Sequence, residues 1–174
     1  RMVAGHMRQY HDVPQDRLRL VYNGVDVDRF SPDACRPHRQ AVEADIAHQV
    51  AAGSRVIHVA SHSFTPMLDG VLRQADVAWL YDPRRPGEAA FAQAWMLALA
   101  KLAPDLRLRR NYPYQGRADG LTASLRRHHP DAAYVGIELE VNQRFVDQGG
   151  AAWDRLRTML VGSLRKALAA FTRR

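Results

Sequence analysis

A chain of 174 residues, 47% apolar and 25% charged, is long enough to bury one core and too apolar for wholesale disorder. No apolar run approaches the roughly 18 residues of a membrane span and no signal-peptide pattern opens the sequence, so a membrane or secreted protein is not expected. The net charge is +7, and Lys101 and Lys166 are the only lysines among 25 basic residues. Arginine suits acidic ligands and nucleic acid. The Ala- and Arg-heavy composition also fits a coding bias, and no basic block is interleaved with aromatics as single-strand binders require. Nucleic-acid binding is therefore not the expected function. Cys35 is the single cysteine, which excludes an intrachain disulfide and fits a reducing, cytoplasmic setting.

In chain order, residues 1–11 suit a helix, and Arg19–Tyr22 a short strand broken by the Asn23-Gly24 turn. Residues 37–52 place Val42, Ile46 and Val50 at helical spacing, with Gly53 positioned to stop them. "RVIHVAS" (55–61) reads as a buried strand, and "ADVAWLYD" (75–82) as a second, closed by Pro83 and Pro86. A helix is expected from Pro86, with Glu88 in its first turn as the macrodipole favours. "DLRLRR" is a strand, "NYPYQGRADG" a polar loop, "LTASLRRHH" a short helix and "AAYVGIELEV" a strand. Residues 151–172 form a last helix with Trp153, Leu156, Leu160, Leu164 and Leu168 on one stripe. Strands alternating with helices predict an α/β domain with a largely parallel sheet, whose ligands gather at the carboxyl ends of strands. His62 just beyond one strand, Asn111 and Tyr114 after another, and Glu138 and Glu140 toward the end of a third meet that description.

Four stretches carry a resemblance. "HVASHSFTP", "LDGVLRQADVAWLYDPRRPGE", "RRNYPYQGRADGLTASLRR" and "YVGIELEVNQRF", in that order, resemble the C-terminal part of the N-formylglutamate amidohydrolase family, over residues 37–174. The resemblance implies an α/β/α sandwich around a mixed, largely parallel sheet, similar to the zinc carboxypeptidases and truncated at its N-terminal side. It also implies a zinc-dependent hydrolase of N-formyl-glutamate or a related small N-acyl amino acid, late in histidine breakdown. Residues 1–36 resemble instead the inter-domain piece of two-domain retaining glycosyltransferases ("NGVDVDRFSPD") and read as a foreign fragment.

The resemblance assigns roles. His62, in "HSFTP", matches a zinc ligand, and Glu140 matches the general base, with Glu138 as the fallback because a shift of two residues keeps the strand face. Against this stands the plain alternative of two solvated glutamates on an edge strand. His58 shares the face of His62, but an extended chain separates them by roughly 13 Å, too far for one ion bound at about 2.1 Å. It reads as a core or supporting histidine. Asn111, Tyr112 and Tyr114 suit a loop over the pocket that offers donors to a carboxylate or oxyanion, or ordinary turn chemistry. Arg73, Arg84 and Arg126 are candidate carboxylate clamps, Arg73 in the most family-like context. His6, His11, His128 and His129 have no useful ligand spacing. The resembled family's first two zinc ligands, a histidine and an acid, have no matching motif in residues 1–36. A metal site would need a partner copy to complete it, and the alternative function is a catalytically incomplete remnant.

Overall fold

The computed structural model describes residues 32–118 and 120–171. The expected helix at 1–11 and strand at 19–22 lie outside them, as does nearly all of the stretch read as foreign. Helix α1 (Pro32–Ala51) crosses the boundary, at Asp45–Ile46, between the two units into which the chain divides, and is described only for itself. It begins at Pro32, earlier than the spacing of Val42, Ile46 and Val50 suggested, because a proline is well tolerated in the first turn. Gly53, at φ 79°, ends it and donates its N–H to Val50.

From Ile46 onward the residues form one compact unit. Its elements in order are β1 (Val56–Phe64), β2 (Met67–Leu68), β3 (Val71–Leu72), β4 (Val77–Leu80), α2 (Pro86–Leu102), β5 (Leu108–Arg110), α3 (Gly120–His128), β6 (Tyr134–Asn142), α4 (Arg144–Gln148) and α5 (Gly150–Phe171). Four strands form a mixed sheet in the order β1-β6-β4-β5. The β1–β6 and β4–β5 pairs are parallel, and β4 runs antiparallel to β6. The expected α/β class and largely parallel sheet are thus observed.

Alternation along the strands sorts the two faces. Val135, Ile137, Leu139 and Val141 of β6 and Val77 and Trp79 of β4 point toward α2 and α5 and form the main core with Phe91, Trp95, Leu99, Leu156 and Leu160. Trp79 meets Trp95 edge-on at 5.8 Å, and Phe91 meets Phe171 at 5.3 Å. Trp95 is 1% exposed, and its indole N–H finds the hydroxyl of buried Ser163 at 3.0 Å, whereas the indole nitrogen of buried Trp79 has no hydrogen-bond partner among the described residues. Each fully buried side chain of this size contributes roughly 1.5–3 kcal/mol. The stripe on α5 packs as its spacing predicts, with Trp153, Leu164 and Leu168 partly buried around Leu156 and Leu160.

The opposite face carries His58, His62, Ala60, Gly136, Glu138, Glu140, Ala78 and Leu80, by the same alternation. Helix α3 packs against β6, and Asn111–Gly116 lies along β4. Strands β2 and β3 form a tight hairpin turned by Asp69 (φ 50°) and Gly70 (φ 75°), the two left-handed residues that a type I′ turn requires. A Cβ on Gly116 would stand 2.1 Å from the backbone nitrogen of Tyr81. Gly116→Ala is therefore expected to push the loop off β4 and cost about 2 kcal/mol or more, read as a lower denaturation midpoint. No helix among the described residues is long and apolar enough to cross a membrane.

Candidate functional site

Strand β1 runs farther than the apolar stretch indicated. It continues through His62 to Phe64 because β6 supplies paired backbone as far as Asn142. His62 therefore sits inside the strand rather than past its exit, exposed, and in direct register with Glu140 on the parallel neighbour. Neighbouring strands lie about 4.8 Å apart, so these side chains rise side by side from one face. Ala78 flanks Glu140 on its other side, and Ala60 and Leu80 flank Glu138. The small alanines leave space beside both carboxylates.

Strand β6 is interior and covered on both sides, so the solvated edge-strand alternative for the glutamates does not hold. Glu140 is 5% exposed, and its Oε2 is buried without a hydrogen-bond partner among the described residues. Burial first, and then the nearby charge of Glu138, push its carboxyl up to about 7, against the opposing pull of Arg73. Glu138 is only partly buried, and Thr122 of α3 donates its hydroxyl to the Glu138 carboxylate.

Arg73 is buried at 7% exposure and approaches Tyr114, with both terminal nitrogens 3.3 Å from the phenol oxygen. It also lies 5.8 Å from the centre of the Phe64 ring. The structure thus gathers His62, Glu138, Glu140, Arg73 and Tyr114 around the carboxyl end of β1 and β6, with Tyr114 half exposed at the rim. Tyr112 is anchored by the N–H of Gln74 at 2.8 Å and meets Phe64 edge-on.

Three predicted residues are engaged otherwise. Asn111, at φ 48°, accepts the N–H groups of Tyr81 (3.0 Å) and Gly116 (3.2 Å) on its Oδ1, which builds the loop. Arg126 places its Nε 2.9 and 3.1 Å from the two oxygens of Glu88 and donates to the carbonyls of Gly116 and Gly136. Arg84 is exposed and forks onto Asp82, whose carboxyl its hydrogen bonds hold down at about 2. His58 bonds the phenol of buried Tyr134 at 2.8 Å. His128 bonds the carbonyl of Ser124 in its own helix, while His6 and His11 lie outside the described residues.

Sequence reasoning missed Thr122, and it missed the buried cluster around Glu88, which is 0% exposed. Asp82 and Arg85 are near neighbours of Glu88 in the chain, but its partners Arg126 and Gly136 lie 38 and 48 positions away, so spacing could not reveal the cluster. It also missed Asp76 and Asn142 at the start of β4 and the end of β6. Burial opposes the charge of Asp76, yet hydrogen bonds from Arg107 and the nearby Arg144 hold its carboxyl below the ordinary value. Asn142 donates to the carbonyl of Ala75 at 2.9 Å, which locks the strand ends beside Glu140.

A catalytic zinc needs three protein ligands and an open position. No group of three or more His, Cys, Asp or Glu side chains that could hold a metal occurs among the described residues. His62 with neighbouring Glu140 offers a partial donor set, so these residues do not by themselves fit the ion.

Comparison with known proteins follows the same lines. A crystal structure of the gene product Atu2144 from Agrobacterium tumefaciens is similar at 29% identity and a TM-score of 0.63, over 87% of this chain. The chain spans 57% of that protein's length. A comparison with curated proteins finds no match. The family profile for N-formylglutamate amidohydrolase matches residues 21–146, starting within the stretch 1–36 and ending before α5. With well over half of its length matched, the chain belongs to the N-formylglutamate amidohydrolase family.

Proposed function

We propose that the chain carries the proton-handling part of an amide hydrolase site acting on N-formyl-glutamate or a related small N-acyl amino acid. The observation that carries this reading is Glu140, a buried carboxylate with a free oxygen, a pKa near 7, and His62 in register beside it. A carboxylate poised near neutrality is matched both to taking a proton from attacking water and to returning it to the leaving amine. Glu138, held by Thr122, lies on the same strand face, and its nearby carboxylate helps to raise the basicity of Glu140. Arg73 and Tyr114 would bind the substrate carboxylate, an arginine fork being suited to that geometry. Asn111 and Arg126 act here as positioning residues: one shapes the loop and the other fixes α3 against Gly136.

A bound zinc would supply carbonyl polarisation and a more acidic water. His62 would be one of its ligands, and the others would come from a second copy or from outside the described residues. The likeness to the zinc carboxypeptidase sandwich, a role in histidine breakdown and a cytoplasmic setting belong to the same proposal. A second reading is favoured by the lack of a three-donor group among the described residues: a folded, non-catalytic relative. Zinc stoichiometry of the purified chain separates the two. The enzyme reading expects bound zinc and at least tenfold weaker binding in His62→Ala. No zinc in the wild type and no change on substitution would leave the non-catalytic reading.

A further inference from the structure

A second feature lies toward the other end of β6, roughly 13 Å along the strand from Glu140. It is a cleft of about 490 Å3 lined by Arg84, Arg85, Arg117, Arg126 and Arg127, with Asp82 and Ala123. These five arginines are not equivalent. Arg84 is forked onto Asp82. Arg85 pairs with Glu88 at 3.0 Å and lies 3.7 Å from Asp131, and Arg126 pairs with Glu88 at 2.9 Å. Three carboxylates therefore offset three guanidinium groups. Arg117 and Arg127 are exposed and make no hydrogen bond or ion pair with any described residue. Among the described residues, no carboxylate offsets these two positive charges.

Helix-end electrostatics explains part of this, since basic residues in the last turn of α3 complement its dipole. It does not explain Arg117, which arrives from the preceding loop, or why the two unpaired forks line one concavity. Ala123 stands one turn before Arg127 on α3, and its small side chain leaves the volume open. Beneath them the Glu88 cluster holds Arg85 and Arg126 rigid, so the positive wall is built before any ligand arrives.

We infer that this cleft binds a phosphate dianion between Arg117 and Arg127, free or as the phosphoryl group of a small metabolite. Two guanidinium forks match a group that carries about −1.5 to −2 at pH 7 and presents three strong acceptor oxygens. The site is separate from His62 and Glu140 and stands whether or not the chain hydrolyses amides.

Calorimetric titration of the whole chain with inorganic phosphate, at constant ionic strength set by chloride, tests it. Saturable binding of one phosphate is expected. It should weaken at least tenfold in Arg117→Ala and in Arg127→Ala, and stay unchanged in the control Arg109→Ala, an exposed arginine outside the cleft that bonds only the carbonyl before it. Phenyl phosphate in a parallel arm identifies the source: tighter binding than inorganic phosphate marks a metabolite's phosphoryl group, and equal or weaker binding marks the free ion. Binding without saturation, or equal binding by wild type and both cleft variants, overturns the inference.

Discussion

Glu140→Gln is expected to stabilise the folded chain at pH 8 by about 2–3 kcal/mol and to leave it nearly unchanged at pH 4. The side chain is 5% exposed, and its carboxyl is pushed up to about 7 by burial and by Glu138. The unfolded chain releases that proton near the ordinary carboxylate value of about 4.3. Between those values the folded state binds more protons than the unfolded state, so wild-type stability falls as pH rises through the window and stays lower above it. Glutamine keeps the shape and removes the titration. Below about pH 4 both side chains are neutral and the difference closes. Urea melts of both proteins at pH 4 and pH 8 check this. A Gln variant less stable than wild type at pH 8 would show that the fold holds Glu140 ionised by favourable contacts.

Removing Glu88 is expected to be the most damaging single change, costing about 3–5 kcal/mol in Glu88→Ala. Its carboxylate is 0% exposed and meets Arg126 and Arg85, whose side chains are 7% and 14% exposed. It also accepts the backbone N–H groups of Asp82 (2.9 Å) and Gly136 (3.3 Å). Alanine would strand two guanidinium groups in a poorly solvated place and leave two backbone donors without their acceptor. The exposed pair Arg39–Glu43, at 3.0 Å within α1, provides the contrast. Glu43→Ala should cost no more than about 0.5 kcal/mol. Chemical denaturation of both variants decides it, and a loss below about 1 kcal/mol for Glu88→Ala would mean that water reaches the cluster.

Elements long enough to show a period were legible before the fold was. The apolar stripe of α5, Pro86 opening α2 and the "YVGIELEV" run of β6 each reported local physics that tertiary structure did not override. The hairpin was not, because Met67–Leu68 and Val71–Leu72 are two-residue strands, too short for alternation to register. The turn residues Asp69 and Gly70 were its one local signal. Strand order was equally hidden. Whether β6 lies inside or at the edge decides whether Glu140 titrates near 7 or near 4, and only long-range pairing with Val56–Phe64 and Val77–Leu80 settles it. The same limit separated Arg73 from Arg126. Both are arginines in family-like stretches, yet one faces Tyr114 and the other is held by a glutamate 38 positions away.

The most direct measurement is formate release from N-formyl-L-glutamate by the zinc-supplemented chain, followed against pH for wild type and Glu140→Gln. The account predicts release by the wild type, with kcat/KM rising through about pH 7 as Glu140 loses its proton, and at least a 100-fold loss in the Gln variant. Equal release by both proteins, or none by the wild type, would contradict it.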